Sequence, residues 1–481
     1  MRCARPPRAF MPPRLLLPAA LTALVLLLLA APVCAQAPAD TDVLKFASDY
    51  STFLNVNRTP WEVGAFAQRA AVRRGFEVAD AAEALGGVAP GARLFFSNRG
   101  LSSVLVIVGK QPVESGMRMV IAHADVPSLL LTTTPLAGRD VATLLAQPYG
   151  GIKRHQYEGL PLELRGRVWP RGGGPVDVRL GGGEGFVFMV RDLTTTPVLQ
   201  DAAPRSGEPL ALIAASTAPA GSTAAQPVRL EVLRALHERF GLTEQDLDTA
   251  ALYAVPTWPV RDVGLDRMAL GGFGHDDRVC AFAGLRALLD APANAVPDQT
   301  LVLVLTDREE VGSTGPTGMQ SEFFRMVIGA LLEAQGGASE NRLRRAMRAS
   351  AVLSSDVTAA INPLFTEVQE PMNAPIAGRG PAMMKYTGHG GKFGGSDANP
   401  ELIRAVQDVF DAAHVPLQTA EIGRVDEGGG GTIARYLAEQ GAEVLDLGVG
   451  LLSMHSPFEI VHKRDLWWLQ RGFSAFLWAP R

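Results

Sequence analysis

Cysteine is almost missing from this chain: three stand in 481 residues, Cys3, Cys34 and Cys280. Two of them fall in a leader-like first segment, so Cys280 is left alone. That excludes an intrachain disulfide framework and any zinc site built from several thiolates. A basic surplus is missing too. Lys and Arg number 45 against 49 Asp and Glu, a net charge of −4, and a mildly acidic surface argues against nucleic acid as a partner. Internal repeats and long blocks of one charge are also absent, so neither a repeat array nor a charged tail is indicated.

Long apolar runs are scarce, and the one that stands out lies at the start. Arg2, Arg5, Arg8 and Arg14 precede an uncharged stretch from Leu15 to Ala30, and Val33-Cys34-Ala35 ends it with small residues. This is the layout of a secretory signal peptide cut after Ala35, with an uncleaved anchor as the competing reading. Cleavage predicts a periplasmic or secreted protein without stable membrane association, and it removes four arginines, so the net charge becomes more negative.

The remaining chain divides by texture. Branched apolar runs at Val104 to Val108, Met119 to Ala122, Leu301 to Leu305 and Val352 to Leu353 alternate with helical periodicity at Glu231 to Phe240 and Glu401 to Ala413. That alternation predicts an α/β fold with a largely parallel sheet flanked by helices. Between Leu129 and Ala250 the pattern changes to short β-like pieces, Leu162 to Val168, Val176 to Leu180 and Gly185 to Val190, separated by glycine triplets. A smaller inserted β-rich domain is expected there. The resulting division is 1–35 signal peptide, 36–128 first part of the main domain, 129–250 insertion and 251–481 second part. Residues 202–226, rich in Ala, Pro, Ser and Thr, read as a surface loop.

Chemistry concentrates in five segments, most of them placed just after apolar runs: His123-Ala124-Asp125, His275-Asp276-Asp277-Arg278, Asp307-Arg308-Glu309-Glu310, Ser354-Ser355-Asp356 and Met454-His455-Ser456. Two imidazoles and at least three carboxylates at strand ends suit two divalent ions sharing one carboxylate. A consistent assignment gives one ion His123 and Asp356, the other Glu310 and His455, with Asp277 shared. Zinc is the default for these donors, and cobalt or manganese also fits. Asp125 is expected to orient His123 through its second ring nitrogen, and Glu309 to act as general base. Taken singly the segments are weak signals: His-x-Asp is commonly a surface pair, Glu-Glu a solvated face, and Ser-Ser-Asp a helix N-cap. Their joint presence points to a two-metal hydrolase. An aminopeptidase, a carboxypeptidase or deacylase, and an inactive peptide-binding shell are the readings these residues leave open.

Other segments read as structural. Gly428 to Gly431 lacks the lysine of a phosphate loop, and Arg342, Arg344, Arg345 and Arg348 form the wet side of a helix. His389, in a glycine-rich turn, is left between a substrate contact and a structural role.

With these segments in order, the chain resembles the family of co-catalytic zinc aminopeptidases that contains aspartyl aminopeptidase and vacuolar aminopeptidase I. The likeness is carried by Thr59-Pro60, Pro148-Tyr149-Gly150-Gly151, Asp276-Asp277-Arg278, Glu309-Glu310-Val311-Gly312-Ser313, Gly428 to Thr432 and Ser453-Met454-His455-Ser456. The resemblance implies short peptide substrates, Glu309 as base, His123, Asp277, Glu310, Asp356 and His455 as ligands, and an insertion that mediates contacts in a homo-oligomer, commonly a dodecamer. Two departures stand out. Val126-Pro127-Ser128-Leu129 replaces the Ser-Pro and polar stretch usual after His-x-Asp, and an export signal precedes the chain. The preferred N-terminal residue, acidic or neutral, is therefore open.

Overall fold

The computed structural model describes residues 40–191, 208–424 and 426–479. The expected signal peptide lies outside the described residues. Among the described residues no helix is long and apolar enough to cross a membrane.

The main sheet has nine strands. In spatial order they are Glu77–Ala79, Arg93–Asn98, Ser102–Ile107, Thr300–Thr306, Met117–His123, Ala351–Ser354, Glu443–Gly448, Ala382–Met384 and Gln418–Thr419. The four central strands from Thr300–Thr306 to Glu443–Gly448 run parallel. Their apolar runs are continuous rather than alternating because both faces are covered. Leu301, Leu303 and Leu305 enter one core with the helices His275–Leu289 and Lys463–Trp478. Val302 and Val304 enter the other, against Phe323–Ala334 and Glu340–Arg348. The two-residue period of the strand thus feeds two helical layers, and each fully buried aliphatic side chain contributes roughly 1.5–3 kcal/mol.

This sheet is mixed: its centre is parallel, and Ser102–Ile107 and Ala382–Met384 join that centre antiparallel. A short connection makes Ser102–Ile107 the antiparallel partner of Arg93–Asn98 as well. Only Arg99, Gly100 and Leu101 separate it from Arg93–Asn98, too few for a parallel crossover.

A second sheet of seven strands is antiparallel throughout, in the order Val176–Leu180, Leu162–Val168, Ala251–Pro256, Ser128–Ala137, Ala142–Tyr149, Leu210–Ala215 and Met189–Val190. It has its own apolar core, with Leu129, Leu144, Leu164, Leu212 and Leu252 beneath the helix Pro227–Phe240. Leu210–Ala215 corrects the reading of 202–226 as loop: Leu210 and Leu212 are buried against the Ala142–Tyr149 strand, and residues 202–207 fall outside the described ones.

A five-stranded sheet, ordered Arg261–Val263, Ala269–Gly272, Glu459–His462, Gly450–Leu452 and Thr358–Ala359, completes the frame. It sets the chain entering His275 beside the chain leaving His455, because Gly272 pairs with Glu459.

Candidate metal centre

Parallel strands that share a sheet deliver their carboxyl ends to one edge, where connecting segments are free to carry function. His123 is the last residue of its strand and pairs with Thr306 at the end of the neighbouring strand. Ser355 donates its amide to the carbonyl of Ile121 at 2.6 Å. Asp356, Glu309 and Glu310 consequently gather around the His123 ring. No helix follows Asp356, which excludes the N-cap reading of Ser354-Ser355-Asp356.

Asp276 stands at the centre of the group. His123 Nε2 lies 3.3 Å from Asp276 Oδ1 and 3.6 Å from Asp356 Oδ1. On the other side, His455 Nε2 lies 3.1 Å from Asp276 Oδ2 and 3.7 Å from Glu310 Oε2. Two ligand-like triplets result, His123 with Asp276 and Asp356, and His455 with Asp276 and Glu310. His123, Glu309 and Glu310 also offer donor atoms within 4.8 Å of one another.

The shared position therefore falls on Asp276, not on Asp277. Both residues open the helix His275–Leu289 with non-helical backbone, Asp276 at φ −78°, ψ 109° and Asp277 at φ −113°, ψ 29°. Their side chains diverge. The Asp277 carboxyl turns back to accept the His123 amide at 3.2 Å and is buried next to Cys280, where desolvation pushes its pKa well up. His275, the third polar residue of the segment, also points away. Its Nδ1 meets the Tyr50 hydroxyl at 2.8 Å, and burial lowers its pKa to about 3.

Asp125 takes a structural place beside the cluster. Its carboxylate accepts the amides of Glu309 at 3.1 Å and Glu310 at 3.2 Å and the Tyr149 hydroxyl at 2.9 Å. It also lies 3.3 Å from His123 Nδ1, whose hydrogen-bond partner is the Asp125 carbonyl at 3.1 Å. Engaging Nδ1 leaves Nε2 turned toward Asp276. His455 is held likewise, its Nδ1 2.9 Å from the carbonyl of Gly151. A Cβ at Gly151 would sit 3.3 Å from that nitrogen, and one at Gly150 3.2 Å from Glu310 Cβ. The Tyr149-Gly150-Gly151 turn thus belongs to the site, a role its composition did not announce.

The donor set fits divalent cations. His123 Nε2 and Asp276 Oδ1, which face each other at 3.3 Å, are buried without a well-aligned hydrogen-bond partner, and so is Glu310 Oε1. Burial and mutual repulsion raise the pKa of Glu310 well above the ordinary carboxylate value, and burial with the Asp356 charge brings Glu309 to about 8. Asp356 is raised by burial as well. Burial opposes charge on Asp276 too, but its two flanking imidazoles hold it below the usual range. Carboxylates crowded this closely are stabilised as anions by a bound cation, and the mixture of imidazole and carboxylate suits zinc.

Residues 53–477 match the family model described as aminopeptidase I zinc metalloprotease (M18). The chain is 35% identical over 446 residues to "Probable M18 family aminopeptidase 1" of Borrelia garinii subsp. bavariensis, covering 90% of this chain and 96% of that one. A crystal structure of an M18-family aminopeptidase from Thermotoga maritima superposes with a TM-score of 0.85 at 33% identity, over 92% of this chain and 97% of the other. The S. cerevisiae mApe1 dodecamer shares the fold at 20% identity and a TM-score of 0.73, over 89% and 95% of the two chains. Sequence, fold and the cluster around Asp276 agree, and the chain belongs to the M18 aminopeptidase I family of zinc metalloproteases as a metallo-aminopeptidase.

Proposed function

We propose that the protein is an exported aminopeptidase that binds two divalent ions, zinc by donor type with cobalt or manganese as substitutes, and removes the N-terminal residue from short peptides. The observation that carries this reading is Asp276, which stands between His123 and His455 with a further carboxylate completing each side. Bound there, divalent ions supply a Lewis acid for the scissile carbonyl and make water more acidic.

The chain's own residues supply the rest. Glu309 lies on the cluster's edge beside His123 and Glu310. It takes the proton from the attacking water and passes it to the leaving amine. Burial and the neighbouring Asp356 raise the Glu309 carboxyl in the metal-free site, and cations bound beside it would favour the carboxylate form that accepts the proton. Asp125 keeps Glu309 and Glu310 in register by accepting both their amides.

Export rests on the first 35 residues and implies a periplasmic or secreted enzyme. Assembly as a homo-oligomer, with the dodecamer of the yeast relative as precedent, is part of the same reading.

The test is incubation with matched free and N-acetylated peptides, with zinc or cobalt restored, followed by mass spectrometry. Stepwise loss from free N-termini alone is expected. Cleavage of the blocked peptides would remove the aminopeptidase reading. Metal analysis of the same sample checks for two ions per chain.

A further inference from the structure

Glu459 stands outside the ligand set and is buried, with 1% of its surface exposed. It begins the strand Glu459–His462 and pairs with Gly272, so its side chain reaches the gap between the two turns that carry Asp276 and His455. There Oε2 accepts the amide of Asp276 at 3.0 Å and Oε1 accepts the amide of His455 at 2.8 Å. One carboxylate thus spans the backbone of the shared carboxylate and that of a histidine 179 residues further along the chain. His455 has φ +63° and Ser453 φ +59°, left-handed conformations that residues with a side chain adopt rarely and keep only when their surroundings over-determine them.

We propose that Glu459 is a positioning residue for the metal centre, a buried clamp that fixes the spacing between Asp276 and His455. The inference rests on the two-ion reading above. It parallels the role of Asp125, which accepts the amides of Glu309 and Glu310. Two buried carboxylates, neither of them placed as a ligand, therefore hold four of the residues around the centre by their backbone. A carboxylate is required because both target groups are donors. The amide of glutamine has a single accepting oxygen and would set its own N–H groups against the second donor.

The experiment uses the purified protein stripped with a chelator and titrated with cobalt, following the visible absorption of each bound ion, alongside thermal unfolding of the metal-free form. Wild type is expected to take up two ions. Glu459→Gln is expected to weaken the ion at the His455 side by about 10–100-fold and to change its spectrum, the range seen when a group supporting a metal ligand is removed. Glu459→Asp, a second variant should the first not fold, keeps the charge but is one methylene too short to reach both amides, and the same weakening is expected.

Wild-type affinity and spectrum in either variant would overturn the proposal, even with a lower unfolding temperature, since that pattern belongs to a merely structural residue. A wild type that takes up one ion or none overturns the two-ion reading itself and the proposal with it, and this outcome is read from the wild type alone.

Discussion

The nine-stranded and seven-stranded sheets bury aliphatic side chains in the same manner, and they differ in how they bury charge. In the seven-stranded sheet, Arg165 lies 2.8 Å from Glu163 and 2.9 Å from Glu62, so each buried charge meets its opposite. Where the nine-stranded sheet ends, Asp276, Asp356, Glu309 and Glu310 converge with only two imidazoles among them. The first arrangement is self-contained. The second places like charges together in a buried site, an unfavourable arrangement unless a cation is bound. Burial of charge therefore does not mark function; burial of charge without its complement does.

The sharpest break in this comparison is expected from Asp276→Asn. Loss of the shared charge should abolish binding of both ions and with it measurable turnover, checked by metal analysis and peptide assay. Asp277→Asn, one residue along, is the control. Its carboxyl receives an amide hydrogen bond that an asparagine oxygen also accepts, so metal content should be retained and activity should stay within about tenfold. Equal losses in the two variants would refute the assignment of the shared position to Asp276.

Glu309→Gln should retain bound metal while kcat falls by about 10²–10⁴-fold, the range of a general base, in steady-state assays on a free dipeptide. Wild-type turnover in that variant would remove Glu309 from the mechanism. In the seven-stranded sheet the expected effect is of another kind. Leu212 is fully buried, and Leu212→Ala should cost roughly 2–5 kcal/mol in denaturant unfolding with metal stoichiometry unchanged.

The smallest effect concerns pH. Folded His275 stays neutral down to about pH 3, whereas in the unfolded chain it takes up a proton near its ordinary 6.5. Between those values the unfolded state binds more protons. This contribution is fully present above pH 6.5 and is lost as pH falls toward 3, by about 1.4 kcal/mol per unit. His275→Gln should remove that slope when unfolding midpoints of the metal-free protein are compared between pH 5 and 7.5. An unchanged slope would show that another group carries it.

Much of the architecture was legible because its signals are local. The Leu301 to Leu305 run predicted a strand buried on both faces, and the strand extends one residue further at each end. Helical periodicity from Glu231 and from Glu401 found Pro227–Phe240 and Pro400–Ala412. The strand Leu210–Ala215 was missed because its alanine-rich surroundings resemble linker, and only pairing with Ala142–Tyr149 buries it. The glycines beside Tyr149 gave no chemical signal, since their part is to leave room for Glu310 and His455.

The sequence by itself determined the donor types, their order and their placement after apolar runs, because strand formation and side-chain chemistry depend on neighbours in the chain. Tertiary structure alone decided which of two adjacent aspartates faces the histidines, since that turns on backbone angles at the start of one helix. It also decided what Glu459 holds: amides of Asp276 and His455, brought within hydrogen-bond reach of one side chain only by the pairing of Gly272 with Glu459.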